Sequence, residues 1–477
     1  MGWVKSLTAR PRADYAGAQT GRLTLDWIMS RRSADQEIRG ALIDLRNRAR
    51  ELVRNTSWVR RYTRLLVQNI VGPKGIRLQA RMQKAGKPFE VGNKRLESAW
   101  AEWGKPGNCT VDGKLSWRGL QGLVIQNMPS DGEGLIQIVR NFDNGFNFAL
   151  QVLDPDQLDE KYNVLQHPET GNEIRMGVEV NRWSRPVAYH LWSGHPSEWN
   201  KSERVRVPAA DIIHLGDPDR PGQTRYVPWV CSVMLALNML DGYFEAELVA
   251  ARVAASQAGV YTREAEDMGG NPDEAGATKP LPAVLEPGTY TELPAGVSLD
   301  GFKPEHPTTA FPDFVKSVLR SVATGLNVSY TALAGDLEGV NYSSIRQGVL
   351  DERDAYRDKQ QWMIEHFNQR VYDEWLPWAV LSGRLDSRIA ADQYKNIVWQ
   401  PRGWTWVDPL KDQQASVLAI NNQLGSRTQA LALQGVDYPE VLEDLAREEE
   451  LKKLAGITTP EPRPVRRVLP GDDGEDE

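Results

Sequence analysis

The sequence predicts an α+β fold, and three observations carry that prediction. Residues from about 80 to 215 alternate short β-prone runs with Asp, Asn, Gly and Pro turns rather than with regular crossover helices, which argues against a doubly wound parallel sheet. Two long helical stretches, Tyr226 to Tyr261 and Ser343 to Trp375, lie beyond that region. Between them, Val260 to Pro307 reads as a small β module inserted between two helices.

Taken in order, residues 1–34 are rich in Arg, Ser, Ala and Gly with little periodicity and are expected to form a mobile arm or peripheral wrap. Asp35 to Asn69 reads as helix, because Ile38, Leu42, Leu45, Ala49, Leu52 and Val53 recur three or four apart. Its many arginines sit opposite that stripe, as a solvated face or a subunit contact. Val71 to Gln79 is a turn followed by a strand, and Asn93 to Gly104 and Leu115 to Met128 are helices. Ser130 to Gly134 turns into the strand LIQIVRNF. FALQVLDPDQLD, RMGVEVNRWSRPVAYHLW and DIIHL supply further strands.

Pro228 suits the first turn of a helix running on through WVCSVMLALNMLDGYFEAELVAARVAAS. Glu264 to Lys279 is a polar loop, and AVLEPGTYTELPAGVSLDGF holds short strands with Pro-Gly turns. In the next helix Val315, Val318, Leu319, Val322 and Leu326 form one face, with Lys316 and Arg320 on another. A polar stretch with Gly335, Gly339 and Asn341 follows. The long helix then begins at Ser343 or Ser344, is marked by Ile345, Val349, Tyr356, Met363, Phe367 and Val371, and is expected to stop near Trp375 because of Pro377. Further helices are expected at Pro409 to Gln423, Arg427 to Gln434 and Tyr438 to Leu454, before a Pro-rich and then acidic tail, 456–477, expected to be disordered.

The bulk numbers exclude several functions. The 477 residues carry a net charge of -7, so tight phosphate-neutralising wrapping of nucleic acid is disfavoured despite a basic run from Arg46 to Arg77. Sixteen tryptophans suit either an interface or a filled core. Cys109 and Cys231 have no metal-ligand spacing. The apolar run Val227 to Leu240 is shorter than the roughly 20 residues of a membrane span. There is no P-loop, no G-x-G-x-x-G, no nucleophile elbow and no HExxH. His190 and His195 are five apart, and Asp154-Pro155-Asp156 reads as turn geometry rather than a metal site. The run Asp351 to Lys359 pairs opposite charges three and four apart, as a self-paired face or as a contact with a neighbouring subunit. No catalytic constellation and no cofactor site emerges, which points to a structural part rather than an enzyme.

Three blocks then carry a family resemblance. They are LRNRARELVRNTSWVRRY with VGPKGIRLQ, His214-Leu215 with PGQTRYVPW, and above all Leu285 to Asp354. Over roughly Asp35 to Gly425 the chain resembles a phage portal protein of the lambda-like group; Tyr226 stands where that pattern leads one to expect glycine. The resemblance implies a portal-protein fold: wing (35–225), first stem helix (226–259), clip (260–307), second stem helix (308–326), tunnel loop (327–342), long wing helix and wing return (343–400), and helical crown (401–455).

It also implies a homo-oligomeric ring, usually a dodecamer, at the head vertex of the virion and in the host cytoplasm during assembly. Double-stranded DNA passes through its channel, and the terminase large subunit, a head–tail connector protein and the major capsid protein are its partners. The tunnel loop would place Asp336, Leu337, Glu338, Gly339, Val340 and Asn341 toward DNA and constrain it sterically, while Lys316 and Arg320 are the stem candidates for weak phosphate contacts. Two other readings remain: a nucleic-acid enzyme, opposed by the missing motifs, and a tail or baseplate ring protein without a DNA channel. The helix–β insert–helix unit favours the portal.

Overall fold

A computed structural model describes residues 22, 25–26, 30–198, 203–256, 260–263, 297–300, 311–339, 342–404 and 409–455. Most of the expected arm and the whole expected tail lie outside these residues. Where one helix was expected over Asp35 to Asn69 there are three: α1 (Ala34–Arg39), α2 (Leu42–Asn55) and α3 (Ser57–Leu66). Ser33 caps α1 in a reciprocal box with Gln36. Thr56 is extended, and its hydroxyl donates to Asp241 Oδ2 at 2.8 Å, which breaks the helix between α2 and α3. α3 runs into a π turn, Val67–Val71, closed by Gly72 at φ 72°. Gln360 Nε2 donates to the carbonyls of Asn69 and Ile70, so backbone oxygens in this turn are satisfied by a side chain.

β1 (Arg77–Ala80), the hairpin β2 (Gln83–Lys84) and β3 (Lys87–Pro88), α4 (Glu90–Trp103) and α5 (Trp117–Asp131) follow. Next come β4 (Glu133–Arg140), β5 (Phe148–Leu153), β6 (Glu173–Arg175), β7 (Val178–Val180), β8 (Pro186–Trp192), β9 (Arg204–Pro208) and β10 (Ile212–Gly216). They form a three-stranded sheet, β10-β4-β5, and a four-stranded sheet, β6-β7-β8-β9, with every paired strand antiparallel. β6 and β9 were not anticipated from the sequence. Successive side chains of a strand face opposite ways, and β4 uses both faces. Ile136 and Ile138 join the main core, and Leu135 joins a second cluster with Val178, Tyr189 and Val207. The three-stranded sheet is thus a middle layer between the helices and the four-stranded sheet.

The main core is aromatic. Trp100, Trp103, Trp117 and Trp375 are all buried, and Trp100 meets Trp103 at 4.8 Å and Trp375 at 5.0 Å between ring centroids. Trp103 Nε1 donates to Phe148 O at 3.0 Å. Much of the tryptophan excess therefore fills the core, while Trp183 stays 76% exposed.

The long helix corrects one expectation. α9 (Tyr342–Met363) passes through a second π turn, Ile364–Asn368, into α10 (Gln369–Leu381), so Pro377 lies inside a helix instead of ending it. A proline in a helix interior costs about 3 kcal/mol. Trp375, Leu376 and Ala379 are buried on either side of it. Burial is worth about 1.5–3 kcal/mol for each large side chain, so packing outweighs propensity. A short α11 (Ala391–Tyr394) precedes β13 (Ile397–Gln400), which returns to pair with β1. α12 (Pro409–Asn421), α13 (Arg427–Ala432) and α14 (Tyr438–Leu454) fall close to their expected bounds, and none buries a residue within this chain.

One charged knot sits at the base of the sheets. Glu133, 1% exposed, accepts from Arg46 Nη2 at 2.7 Å, from Arg225 Nε at 3.0 Å, from the Arg225 Nη2 group, and lies 2.9 Å from His214 Nε2. Arg225 spends its remaining donors on the carbonyls of Pro155, Leu158 and Met176. Arg46, Arg50, Asp131 and Asp156 complete the knot. The arginines at 46 and 50 are therefore paired inside this chain and do not form a freely solvated face. Burial alone would push the Glu133 carboxyl up, but Arg225, His214 and Arg46 together hold it well below the usual glutamate range.

Candidate functional site

The expected DNA-facing region rests on α6 (Met234–Ser256) and α7 (Phe311–Gly325). α6 begins at Met234 after a 3-10 turn, Cys231–Val233, and not at Tyr226 with Pro228 in its first turn. The cause is local pinning. Tyr226 N–H donates to Glu133 at 3.4 Å and Trp229 N–H to Met128 O at 3.1 Å. Gly132 has φ 75°, and a Cβ there would lie 2.1 Å from the Val227 carbonyl carbon. The segment from 226 to 229 is thus held against the end of α5 and cannot enter the helix.

α6 and α7 run antiparallel. At one end Ser232 Oγ donates to Gly325 O, and a Cβ on Gly325 would meet Val233 at 2.5 Å, so glycine allows the close approach. Toward the other end Tyr243 meets Phe314 and Phe244 meets Phe311, at 5.3 and 5.4 Å. The inner halves are buried through Leu237, Leu240, Leu319 and Val322, whereas Leu235, Met239, Leu248, Val249 and Phe314 are exposed. Beyond the pair, β11 (Val260–Arg263) and β12 (Val297–Asp300) form an antiparallel ladder with Val260 opposite Asp300. The rest of the expected β insert lies outside the described residues.

After α7, Asn327 takes φ 55° and the chain turns into α8 (Tyr330–Ala334), a helix inside the stretch expected to be loop. Ser329 caps it, accepting from Ala332 N–H, and Gly335 ends it at φ 70°. Arg61 of α3 donates to Ala332 O at 3.2 Å and ties α8 to the body. The residues after α8 fold back on α7. Lys316 Nζ lies 2.9 Å from Glu338 and 3.9 Å from Asp336, Tyr330 OH donates to Asp336 at 2.8 Å, and the Arg320 guanidinium sits 5.5 Å from the Tyr330 ring. The Glu338 N–H and the Tyr330 hydroxyl hold the Asp336 carboxyl below its ordinary value; the hydrogen bond to Glu338 raises the Lys316 ammonium.

The structure therefore brings together Lys316, Arg320, Asp336 and Glu338, and leaves Leu337 65% exposed. Gly339 has φ 68°, and Val340 and Asn341 lie outside the described residues. Tyr330, Ser329 and Arg61 were missed. Ser329 and Gly335, flanking YTALA, are a helix start and stop that the sequence could have yielded. The contacts of Tyr330 and Arg61 had no local signal.

Elsewhere, Asp154, Asp156 and His195 bring ligand atoms within 4.8 Å of one another. Arg50 reaches both carboxylates and Arg46 reaches Asp156, so guanidinium groups already supply the positive charge. Asp154 also caps the turn Pro155–Gln157, as Asp-Pro-Asp suggested. His190 lies on Glu179, apart from that group. Burial pushes the Cys109 and Cys231 thiols up to about 12, and neither is in a disulfide. Among the described residues no helix is long and apolar enough to cross a membrane.

A mixed helix-and-sheet body bearing an antiparallel helix pair and a tethered loop is the class of fold that the described residues define. Comparison with known proteins makes the class specific. Residues 20–360 match the model for phage portal proteins of the lambda family. The chain is 35% identical over 447 residues to a protein of Halomonas phage phiHAP-1 described as "Probable portal protein", covering 91% of this chain and 86% of that one. It is 24% identical over 462 residues to "Portal protein B" of Escherichia phage lambda, covering 87% and 84%. A chain in the neck of an empty gene transfer agent particle aligns with a TM-score of 0.46 at 15% identity, covering 83% of this chain and 93% of that one. This chain belongs to the lambda family of phage portal proteins, which are structural and not enzymatic.

Proposed function

We propose that the protein closes into a ring, a dodecamer as the resemblance implies, at the head vertex of the virion, and that double-stranded DNA is packaged and ejected through its centre. The observation that carries this is the antiparallel pair α6–α7, with the β11–β12 ladder beyond it and a tethered loop after it. Among the described residues the exposed apolar side chains of that pair have no cover, and neither do those of the α12–α14 region, where Leu410, Leu418 and Leu424 are exposed. Neighbouring copies would bury them. In this reading 35–225 is wing, α6 and α7 are stem, 260–307 is clip, 327–342 is tunnel loop, 343–400 is the long wing helix with its return, and 401–455 is crown.

The clip docks the terminase large subunit during packaging and the head–tail connector protein afterwards, and the wing meets the major capsid protein. Assembly takes place in the host cytoplasm. Twelve copies at -7 each carry about -84 charges, which discourages DNA from adhering to the wall. Asp336 and Glu338 occupy Lys316 within the same chain, which leaves Leu337, with Val340 and Asn341, to constrain DNA by bulk. Lys316 and Arg320 would then make only weak phosphate contacts, competed by the loop's own carboxylates.

Electron-microscope images of the purified protein test the ring: particles with a central hole and a narrow stem are expected, and compact monomers would refute it. Replacing Lys316 and Arg320 with Ala should weaken DNA retention after packaging; unchanged packaging and retention would remove them from the channel.

A further inference from the structure

A closed ring of identical copies needs two different surfaces on each copy that fit one another head to tail. One surface is basic. Arg54 of α2 and Arg60 and Arg64 of α3 border a cleft of about 570 Å³ that also touches Thr63 and Gln126. All three arginines are exposed, and among the described residues none has an ion pair or a side-chain hydrogen bond. α3 itself contains no acidic residue.

The other surface is acidic. Asp351, Asp354 and Asp358 lie exposed along α9, with Glu365 just beyond it. Among the described residues each is held from α9 alone: Asp351 by Gln347 at 2.8 Å, Asp354 by Arg357, Asp358 by Lys359 at 3.9 Å, and Glu365 by Gln361 at 2.6 Å. Asp354 and Asp358 are 73% and 80% exposed, so their charges meet mainly water.

These surfaces lie on opposite sides of one layer. α3 and α9 meet through Tyr62 and Tyr356, both 4% exposed and lining a common cleft, and Gln360 reaches back to Asn69 and Ile70. At about 100° per residue, Arg60 and Arg64 point roughly 160° away from Tyr62 on α3. By the same spacing, Asp354 and Asp358 point roughly 160° away from Tyr356 on α9. The basic side of the layer therefore faces one way and the acidic side the other.

We propose that the arginine cleft of one copy receives the acidic face of α9 from the next copy. This rests on the ring reading and deepens it: the contact is heterologous, and its charge complementarity sets which face meets which. The contact weakens as salt rises, because the screening length falls from about 10 Å at 0.1 M to about 3 Å at 1 M.

The test is a charge swap in the full chain, read by mass photometry at micromolar concentration. Arg60→Glu with Arg64→Glu places acid against acid, and Asp354→Arg with Asp358→Arg places base against base. Each double variant should lower the ring fraction by about tenfold, with a circular dichroism spectrum and melting temperature like those of the parent. An equimolar mixture of the two variants, or one chain carrying all four changes, should recover rings, since every junction is then complementary again. If the parent forms rings and both variants do so equally well, the contact is wrong while the ring stands. If the arginine variant assembles normally but loses DNA, the cleft serves phosphate and the inference is overturned. Failure of the mixture and of the fourfold chain to recover rings also overturns it. Absence of rings in the parent would remove the ring reading itself.

Discussion

Two clusters in this chain use the same chemistry, carboxylate against arginine or lysine, in opposite surroundings. Around Glu133 the groups are buried, and Arg225, at 0% exposure, uses all of its nitrogens. Around Asp336 the partners are partly or largely open, and Glu338 is 79% exposed. The buried knot joins α2, β4, β10 and the 225–229 segment, so it fixes where α6 leaves the body. The open cluster joins a loop to α7 and fixes little else. Solvent decides the difference. A charge that loses its partner in the interior stays desolvated, whereas one at the surface regains water.

The largest test of that contrast is Glu133→Ala. It strands Arg225 and His214 and should cost about 3–5 kcal/mol, read as a lower denaturant midpoint. Replacing Glu133 with Leu and Arg225 with Met together should cost less than the two single changes added; additive costs would mean the pair is not coupled.

Gly132→Ala comes next. It forces a side chain into the left-handed region and against the Val227 backbone, which should cost about 1–3 kcal/mol or more. A melting temperature equal to the parent's would show that the 226–229 segment is not pinned there.

A pH titration of stability sharpens the comparison further. Glu133 and Asp156 are held below their ordinary values, and Glu179, bonded first by Arg206, is lowered to about 2. Lowered carboxylates bind more protons unfolded than folded. Their contribution is therefore complete above about pH 4.5 and is lost as pH falls toward 2 and below. Asp131, Glu97 and Asp437, pushed up by burial, work in the opposite sense, but the lowered carboxylates, which also include Asp112, Asp336, Asp386 and Glu443, outnumber them. Stability should decline from pH 4.5 downward, and Glu133→Gln should flatten that decline; an unchanged profile in the variant would count against the buried knot.

The smallest effect belongs to the open cluster. Lys316→Ala should leave the melting temperature unchanged and speed amide exchange only at residues 335–339, and high salt should do the same to the parent protein. A global loss of stability would mean that the loop is part of the core.

Much of the architecture could be read locally. Apolar spacing located α7 and α9, because a helix face is written three and four residues apart, and α4, α5 and the three C-terminal helices were also expected close to where they lie. Gly335 and Gly339 both have the positive φ that a polar turn requires. Where the reading failed, a distant contact had overruled a local preference. Pro377 sits inside α10 because Trp375 and Ala379 are packed around it, and α6 starts late because Gly132 and Glu133 hold the preceding segment. At the candidate site, the basic and acidic residues were legible, but not that Lys316 would be paired with Asp336 and Glu338. Twenty or more residues separate them, and no periodicity spans that gap.

The sequence by itself determined the helix faces, the turns, the absence of catalytic motifs and, through three blocks of residues, the family. Those are properties of neighbours along the chain or of residue identity. Only the tertiary structure decided which charges are buried and which remain free: Arg46 enters the interior while Arg60 and Arg64 stay outside, although all three lie in one basic run. Whether an arginine stabilises a fold or waits for a partner depends on the carboxylates and the water that folding leaves beside it.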